Sequence, residues 1–205
     1  MQIGIIDYGM GNLLSVKNAL EAVGAVVRLA TRGEDLADVH GIVLPGVGAF
    51  GSGMKGLRER GFLDALEREV REHRKPMLGI CLGMQLLATS GNEGGEHRGL
   101  CWVDATVARL DVGSDLRVPH IGWNDVQGRG ALFSGIPERA SFYFVHSFHL
   151  VPESLTAVAG TTEYGVEFVS AIEHENIYGV QFHPEKSHKH GLELLKNFVN
   201  VVRRS

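Results

Sequence analysis

The sequence of 205 residues is 44% hydrophobic and 21% charged, which is enough apolar material for one well-packed domain over residues 1–205. Its formal net charge of -4 and its pI near 6.2 provide no basic field for nucleic acid. The sequence has no apolar run of membrane-spanning length, and its first residues lack the pattern of a signal peptide. We therefore expect a cytoplasmic protein that binds neither nucleic acid nor a membrane.

Short apolar strands alternate with helical patterns through the first half of the chain. Segments 13–23 and 62–72 each place their apolar side chains on one helical face, and a short packed helix is expected over 82–89. The alternation predicts a parallel sheet covered by helices. The strand candidates of this half are 3–7, 26–30, 41–44 and 77–80.

The second half has consecutive strands and closes with a helix over 192–202. No repeat, low-complexity tract or linker divides the sequence. We expect an α/β fold of three layers, in which a mostly parallel central sheet has helices on both faces and additional antiparallel strands in the second half. The later strand candidates are 105–110, 120–126, 142–151, 156–161, 168–173 and 177–182.

A cysteine between glycines follows the strand candidate 77–80, in the sequence Gly-Ile-Cys-Leu-Gly-Met-Gln at 79–85. The flanking glycines allow a sharp turn from strand to helix that exposes the side chain of Cys81 at the end of the strand. The first amides of the following helix would favour the thiolate, which is the nucleophilic form. Taken alone, a cysteine between glycines is more often just a small buried apolar residue.

The sequence Val-Gln-Phe-His-Pro-Glu at 180–185 could supply the base that such a nucleophile needs. His183 ends a strand and reaches Cys81 if the two strands are neighbours. Glu185 points the same way as His183 in an extended segment, and Pro184 keeps the backbone out of a helix. A carboxylate bonded to one imidazole nitrogen leaves the other nitrogen to exchange protons. The pattern predicts a nucleophile, its base and the group that orients the base.

Three further segments are expected at the same edge of the sheet, beyond the carboxyl ends of the strands. Segment 7–12 looks like a dinucleotide loop but lacks the third glycine, and the second strand ends without an acidic ribose ligand, so a nicotinamide site is not expected. Segment 45–51 contains glycines whose free amides suit an oxyanion hole beside the amide of Leu82. The alternative interpretation of this segment is a plain glycine-rich turn. Segment 119–124 is unusually dense in large side chains.

Closely spaced histidines raise the question of a metal site. His183, His188 and His190 form one group, and His146 and His149 form another. No cysteine or carboxylate set completes either group, so no metal is expected. We expect His188 and His190 in a solvated loop.

The remaining cysteine and the most charged stretch are both interpreted as structural. Cys101 is expected to be a small packing residue, because a disulfide to Cys81 would disable the nucleophile. Segment 58–74 intersperses charges with a helical apolar face, which is typical of an exposed helix surface.

The pattern Gly-x-Cys-x-Gly-x-Gln at 79–85, with His183 and Glu185 downstream, resembles the class I, triad-type glutamine amidotransferases. The resemblance runs from the first strand to the last, and it implies a flavodoxin-like fold of three layers. It also implies hydrolysis of glutamine without a metal or organic cofactor. Three further segments resemble the glutaminase subunits of imidazole glycerol phosphate synthase within that family, namely 7–12, 45–48 and 119–124.

The resemblance also implies roles for individual residues. The Cys81 thiolate would attack the side-chain amide of glutamine to form a glutamyl thioester, and His183 would protonate the departing ammonia and then activate water. Amides of Leu82 and of the strand Gly46, Val47 and Gly48 would hold the oxyanion. Gln85 and the backbones of Gly48 and Ser147 would bind the amino and carboxylate groups of glutamine, with Tyr143 and His146 as further candidates.

By the same resemblance, the ammonia passes to a separate (βα)8-barrel cyclase subunit. That subunit makes imidazole glycerol phosphate and an aminoimidazole carboxamide nucleotide in histidine biosynthesis. An isolated glutaminase subunit of this kind is nearly silent, because the peptide corresponding to Val47–Gly48 points its carbonyl where an amide is required. We expect the partner to dock through Asn12, Trp123 and Lys186 and to bias this peptide toward the competent orientation.

Other interpretations stay open on the sequence alone. A cysteine peptidase, a free-standing gamma-glutamyl hydrolase or a triad glutaminase with a different partner would use the same three residues. A free-standing enzyme would act without a partner, and Gln85 and Val47 would then have no special role. A non-catalytic interaction subunit would keep only the fold, and substitution of Cys81 would not affect its use of glutamine.

Overall fold

Thirteen strands join into one sheet in the computed structural model, which describes residues 1–114 and 116–205. Aliphatic and β-branched residues dominate the strands at its centre, where both faces are covered. The strands are β1 Gln2–Ile6, β2 Val26–Ala30, β3 Gly41–Gly46, β4 Met77–Cys81, β5 Ala88–Gly91, β6 His97–Arg98, β7 Val103–Arg109, β8 His120–Gly128, β9 Arg139–His146, β10 Phe148–Pro152, β11 Val158–Tyr164, β12 Val166–His174 and β13 Ile177–Val180.

The helices lie on both faces of this sheet. The α-helices are α1 Leu13–Ala22, α2 Phe50–Glu59, α3 Phe62–Leu66, α4 Leu82–Gln85 and α5 His188–Arg204. A π-helical segment over Glu67–Glu72 continues α3. Short 3-10 turns occupy Gly33–Leu36, Ala131–Phe133, Leu155–Ala157 and Pro184–Lys186.

Five parallel strands, in the order β2-β1-β3-β4-β13, form the part of the sheet that positions the site. The register pairs Gly46 of β3 with Cys81 of β4, and Val180 of β13 with Ile80 of β4. The carboxyl ends of β3, β4 and β13 therefore meet at one edge. The expectation that the strands before Cys81 and His183 are neighbours is confirmed.

Antiparallel strands extend the sheet beyond β13, through β12 and β10 to β7, and β11, β8 and β9 form a side branch from β12.

Two apolar clusters cover the two faces of the sheet. One contains Phe50, Leu57 and Phe62 of the helices α2 and α3, and the other contains Leu195 and Phe198 of α5. The predicted three-layer α/β fold is confirmed. Among the described residues no helix is both long and apolar enough to cross a membrane.

The predicted helix over 82–89 is wrong in its second half, because α4 ends at Gln85 and β5 begins at Ala88. The carbonyls of Leu86 and Leu87 accept the amides of Leu100 and Trp102, both at 2.9 Å, instead of amides of a further helical turn. Pairing with a distant segment therefore overrides the local helical pattern. Helix α2, which was not predicted, lies between β3 and α3 in the chain.

The predicted strand over 142–151 is interrupted at Ser147. Strand β9 pairs with β8, whereas β10 pairs with β7 and β12. The carbonyl of Ser147 accepts the amide of Leu110 at 2.9 Å where the chain changes partners. The predicted strand over 156–161 also begins later, at Val158, after a 3-10 turn.

The charged stretch near residue 70 is not entirely exposed. Glu69 is only 2% exposed and accepts hydrogen bonds or ion pairs from Arg68, His73 and Lys75. Burial raises the pKa of Glu69, but these three partners outweigh it and lower the pKa to about 2. This cluster ties the π-helical segment to the residues that precede β4.

Two smaller expectations also differ from the structure. His188 and His190 lie in the first turn of α5 rather than in a loop. Cys101 is exposed rather than packed, and its backbone is left-handed, with a φ of 60°.

Replacing Gly83 with alanine is expected to lower the free energy of unfolding by about 3 kcal/mol, because a Cβ there would overlap the carbonyl oxygen of Leu44, which cannot move without disturbing β3. Urea denaturation measures the change. Ser52→Ala, at an exposed position of α2, is the control and should change stability by less than about 0.5 kcal/mol. Equal stability of the Gly83→Ala protein and the parent would contradict the close approach of α4 to β3.

Candidate active site

The backbone at Cys81 makes a sharp turn between β4 and α4. Its φ of 53° and ψ of -109° place a residue with a side chain in a region that glycine normally occupies. Neither Gly79 nor Gly83 has a positive φ. Both are instead needed for close packing, because a Cβ at 79 would meet the backbone of Gly83 at 2.7 Å. The glycines let α4 lie against the sheet, and the cysteine itself carries the strained conformation.

The chain leaves β13 and places His183 beside this turn. The amide of His183 donates to the carbonyl of Tyr143 on β9 at 2.8 Å. Its Nδ1 lies 2.8 Å from Oε1 of Glu185, and the two side chains are only 3% and 2% exposed. The segment after His183 is a 3-10 turn with Pro184 at its start, not the extended stretch that was predicted. The turn nevertheless brings the carboxylate back to the imidazole.

The charges of this trio favour a protonated imidazole. Burial opposes protonation of His183, but its hydrogen-bonding and Coulombic interactions with Cys81 and Glu185 outweigh burial and raise its pKa to about 9. Nε2 of His183 is buried without a hydrogen-bond partner of good geometry among the described residues. Because Nδ1 is bonded to Glu185, Nε2 is the nitrogen that can exchange a proton with Cys81 or with a bound molecule.

A cleft of about 370 Å³ opens beside Cys81. The structure brings seven of the predicted site residues to its wall: Val47, Gly48, Cys81, Leu82, Gln85, His146 and Ser147. Gly46 lies next to Cys81 through the pairing of β3 with β4. Gly48 has a φ of 107°, so the segment after β3 turns through a conformation that favours glycine.

Two predicted substrate-binding residues make different contacts from those expected. Both ring nitrogens of His146 are engaged, one 2.9 Å from the carbonyl of Phe148 and the other 3.1 Å from the ring of His120. Burial lowers the pKa of His146 to about 3, so the ring is neutral and offers no free nitrogen to the cleft. Tyr143 is not part of the cleft wall, and its carbonyl anchors His183 instead.

The three residues expected at a partner interface lie on the outside of the molecule. Trp123 is 48% exposed and stacks on His188, with ring centroids 5.0 Å apart. Nζ of Lys186 lies 5.7 Å from the centre of the Tyr143 ring. Asn12 caps the start of α1, where its Oδ1 accepts the amide of Ser15 at 3.3 Å.

A larger cavity, of about 520 Å³, is distinct from the cleft and lies along β8 and β11. Trp123, Asn124 and His120 are part of its wall, but neither Cys81 nor His183 is. The chemistry of the trio therefore assigns the smaller cleft as the candidate active site.

Sequence reasoning missed several residues of the site. Pro119 and Tyr8 were inside segments that had been singled out, but neither was assigned a role. The Tyr8 hydroxyl lies beside Gly46 without a partner among the described residues, and burial, followed by the charge of Cys81, raises its pKa. Other missed members of the cleft wall are Ala49, Glu93, Val145 and Phe148.

Long-range contacts explain why these residues were missed. Glu93 accepts the amide of Phe50 at 3.0 Å across 43 residues of sequence, a contact that no local pattern announces. Gln181, which was taken for an ordinary strand residue, is completely buried with its Nε2 3.6 Å from the Cys81 sulfur. In the described part of the chain, no group of three or more histidine, cysteine, aspartate or glutamate side chains is clustered to hold a metal ion.

Comparison with known proteins gives a consistent result. The family model of class-I glutamine amidotransferases matches residues 4–202. A HisH subunit of imidazole glycerol phosphate synthase from Moorella thermoacetica is 50% identical, covering 99% of this chain and 96% of that protein. A HisH subunit from Pseudomonas aeruginosa is 45% identical, covering 98% of this chain and 100% of that protein. The solved structure of a glutamine amidotransferase from Thermotoga maritima has a similar fold, with a TM-score of 0.69, 17% identity and coverage of 100% and 99%.

The raised pKa of His183 can be tested by NMR titration of its imidazole. We expect a midpoint near pH 9 in the parent protein and a lower one in Cys81→Ala, because two of the interactions that raise the pKa are lost while burial remains. The signal of exposed His40 is the control and should be the same in both proteins. An unchanged His183 midpoint would show that the sulfur does not act on the imidazole.

The same pKa also predicts how stability depends on pH. Because the folded pKa lies above the ordinary value of 6.5, the stabilisation by protonated His183 is fully present below about pH 6.5 and is lost as the pH rises through about 9. Urea unfolding should therefore show a steeper loss of stability over this range for the parent than for Cys81→Ala. If the free energy of unfolding changed with pH in the same way in both proteins, the raised pKa of His183 would be contradicted.

Proposed function

We propose that this chain, which belongs to the class-I glutamine amidotransferase family, hydrolyses glutamine as the ammonia-producing subunit of an imidazole glycerol phosphate synthase. The observation that carries the proposal is the interaction of Cys81, at the wall of the cleft, with the imidazole of His183, whose Nδ1 in turn contacts Glu185. The 50% identity to a HisH subunit over nearly the whole chain supports the choice of synthase.

Glutamine hydrolysis follows from the positions of the three groups. The Cys81 thiolate attacks the carbon of the side-chain amide, and the electron pair of the carbonyl moves onto oxygen. The amides of Leu82 and of the strand 46–48 lie beside Cys81 and would bind this oxyanion. His183 gives its Nε2 proton to the amide nitrogen, the carbon–nitrogen bond breaks, and ammonia leaves a glutamyl thioester.

Water completes the reaction. Nε2 of His183, now unprotonated, accepts a proton from water as the water oxygen attacks the thioester carbon. Collapse of this second intermediate breaks the carbon–sulfur bond, releases glutamate and restores the Cys81 thiolate beside protonated His183. Glu185 keeps the imidazole in one orientation throughout, through its contact with Nδ1.

Recognition of the rest of glutamine is assigned to Gln85, Gly48 and Ser147. Nε2 of Gln85 is already engaged by the Phe148 carbonyl at 2.8 Å and by Gln181 at 3.0 Å. Its Oε1 has no donor among the described residues and can accept from the amino group of the substrate. Backbone groups of Gly48 and Ser147, which both line the cleft, would bind the carboxylate.

A (βα)8-barrel cyclase subunit is the proposed recipient of the ammonia. The relatives at 50% and 45% identity are named as subunits of a synthase, and the chain covers 96% and 100% of them. Trp123, Lys186 and Asn12 are exposed and are the proposed contacts with the cyclase, and Ile121, which is 60% exposed, adds a further apolar side chain on the same strand as Trp123. We place the pair in the cytoplasm, where a reducing environment keeps the free thiol of Cys81 available.

Regulation is proposed to act on the peptide between Val47 and Gly48. Val47 is 43% exposed and lies at the wall of the cleft, so a docked partner can reach it. The left-handed conformation of Gly48 allows this peptide to rotate at low cost. Rotation would exchange a carbonyl for the amide that the oxyanion requires.

Cys81→Ala in the complex with the cyclase is expected to abolish glutamine-dependent synthesis, with a loss of about a thousandfold or more, because no other group can form the thioester. Synthesis supplied with ammonium salt should continue. Cys101→Ala, which removes the exposed thiol, is the matched control and should retain both activities. Loss of both activities in a correctly assembled Cys81→Ala complex would refute the proposal, as would retention of both.

Dependence on a partner distinguishes the synthase subunit from a free-standing hydrolase. We expect glutaminase turnover of the isolated chain to be near background and to rise by about a hundredfold or more when the cyclase and its nucleotide substrate are added, because an oxyanion-hole donor is worth about that much. A coupled assay for glutamate measures it. High turnover without any partner would contradict the gating of Val47–Gly48.

A further inference from the structure

A series of hydrogen-bonded, buried amide and imidazole groups leads to the Cys81 sulfur. Nε2 of Gln181 lies 3.6 Å from the Cys81 sulfur, and Oε1 of Gln181 lies 3.0 Å from Nε2 of Gln85. Resting on the proposed glutaminase function, we infer that Gln181 is a positioning residue. Its side-chain amide holds the Cys81 sulfur in its reactive orientation and links it to Gln85, the residue assigned to the amino group of glutamine.

The carbonyl of Phe148 fixes the donor and acceptor of each hydrogen bond from Gln85 through Gln181 to the Cys81 sulfur. A backbone carbonyl can only accept, so Gln85 must present its Nε2 to Phe148, at 2.8 Å. The second hydrogen of the same Nε2 then points at Gln181, which must offer its Oε1. Gln181 therefore presents its own Nε2 to Cys81, and the sulfur receives a hydrogen bond.

The same carbonyl also fixes the two neighbouring histidines. Nδ1 of His146 lies 2.9 Å from the Phe148 carbonyl and must carry a hydrogen, so Nε2 of His146 accepts from Nδ1 of His120 at 3.1 Å. Nε2 of His120 then accepts from the Asn124 amide at 3.3 Å. Both rings have to be neutral for this arrangement, and burial does lower their pKa values, to about 3 for His146 and about 4 for His120.

Gln181 is well suited to act on sulfur. It is 0% exposed, so no solvent molecule can replace its amide, and its backbone amide is bonded to the Ser170 carbonyl at 2.9 Å. A donor aimed at sulfur favours the thiolate over the thiol. Helix α4 has only four residues, so its dipole adds little, and the Gln181 side chain is an amide donor to the Cys81 sulfur in addition to the imidazole of His183.

The second contact of the sulfur shows how it is oriented. The Val145 carbonyl lies 3.9 Å from Sγ of Cys81 and can accept only from the thiol form. Loss of the proton would remove that contact and leave the Gln181 amide and the protonated imidazole of His183 to hold the sulfur. The thiolate would then be held at the cleft wall, where Gln85 would bind the amino end of the substrate.

Alkylation of Cys81 by iodoacetamide as a function of pH tests this role without requiring any turnover of glutamine. All proteins carry Cys101→Ser, because Cys101 is exposed and would also react. Gln181→Met fills the volume without a donor, and its alkylation rate constant near neutral pH should fall about tenfold, with a midpoint about one pH unit higher.

Gln181→Glu separates a donor role from a packing role. A carboxylate can still accept a hydrogen bond from Gln85. If Gln181 acts through packing alone, the alkylation midpoint should therefore shift less in Gln181→Glu than in Gln181→Met. A donor role predicts a larger effect, because the carboxylate repels the thiolate. The midpoint of Gln181→Glu should therefore lie above that of Gln181→Met. The opposite order, or unchanged midpoints in both variants, would overturn the inference.

Asn197→Asp is the matched control. Asn197 is another buried amide, and it donates to the carbonyls of Leu132 and Ser134 instead of to the site. The substitution should lower the thermal midpoint of unfolding and leave the alkylation midpoint in place. A shift of the alkylation midpoint in Asn197→Asp as large as in Gln181→Met would overturn the inference, because general destabilisation would then explain both.

Steady-state kinetics in the complex with the cyclase provide a second readout. Gln181 contacts sulfur and not glutamine, so Gln181→Met should lower kcat by about tenfold and change KM by less than about threefold. A rise in KM with unchanged kcat would overturn the positioning role. If the parent complex does not hydrolyse glutamine, the proposed function fails, while the alkylation order still decides the role of Gln181.

Discussion

The left-handed backbone at Cys81 is the constraint on which the site depends. Such a conformation costs about 1 to 3 kcal/mol in a residue with a side chain, so the surrounding structure must hold it in place. Helix α4 begins immediately after the cysteine and packs against the Leu44 carbonyl at a position where only glycine fits. Strands β3 and β13 flank β4 on both sides. The sulfur therefore has fixed neighbours, and the base, the oxyanion strand and the Gln181 amide can all be placed relative to it.

Burial alone does not decide the charge of a histidine in this protein. His146 and His183 are both nearly inaccessible to solvent, but the pKa of the first is lowered to about 3 and that of the second is raised to about 9. His146 has a carbonyl and a neutral imidazole as partners, which cannot compensate a positive charge. His183 has the Cys81 sulfur, which carries negative charge as the thiolate, and the Glu185 carboxylate, and these outweigh the cost of burial. The site thus combines one charged imidazole, which exchanges protons, with neutral imidazoles that orient carbonyl and amide groups.

The part of the fold that the sequence predicts is the part that follows from local periodicity. Parallel strands end at a common edge, so the order of Cys81 and His183 after two apolar strands was enough to predict their proximity. The predictions are wrong where hydrogen bonds to distant segments determine the local structure. Residues 86–88 continue a helical pattern, but their carbonyls are taken by residues 100–103. Glu93 and Gln181 enter the site through contacts across 43 and 100 residues, and no local pattern contains that information.

One short segment after β13 supplies both the base and the amide donor. Strand β13 ends at Val180, and Gln181 and His183 then lie on either side of Phe182, with the Gln181 amide and the His183 imidazole both interacting with Cys81. Phe182 is fully buried and stacks on Phe142 with ring centroids 4.1 Å apart, which fixes the rotation of the segment about its axis. A shift of this packing would turn Gln181 and His183 together away from the sulfur. The aromatic contact belongs to the same apolar cluster as Cys81, and it therefore constrains both the geometry of proton transfer and the orientation of the thiolate.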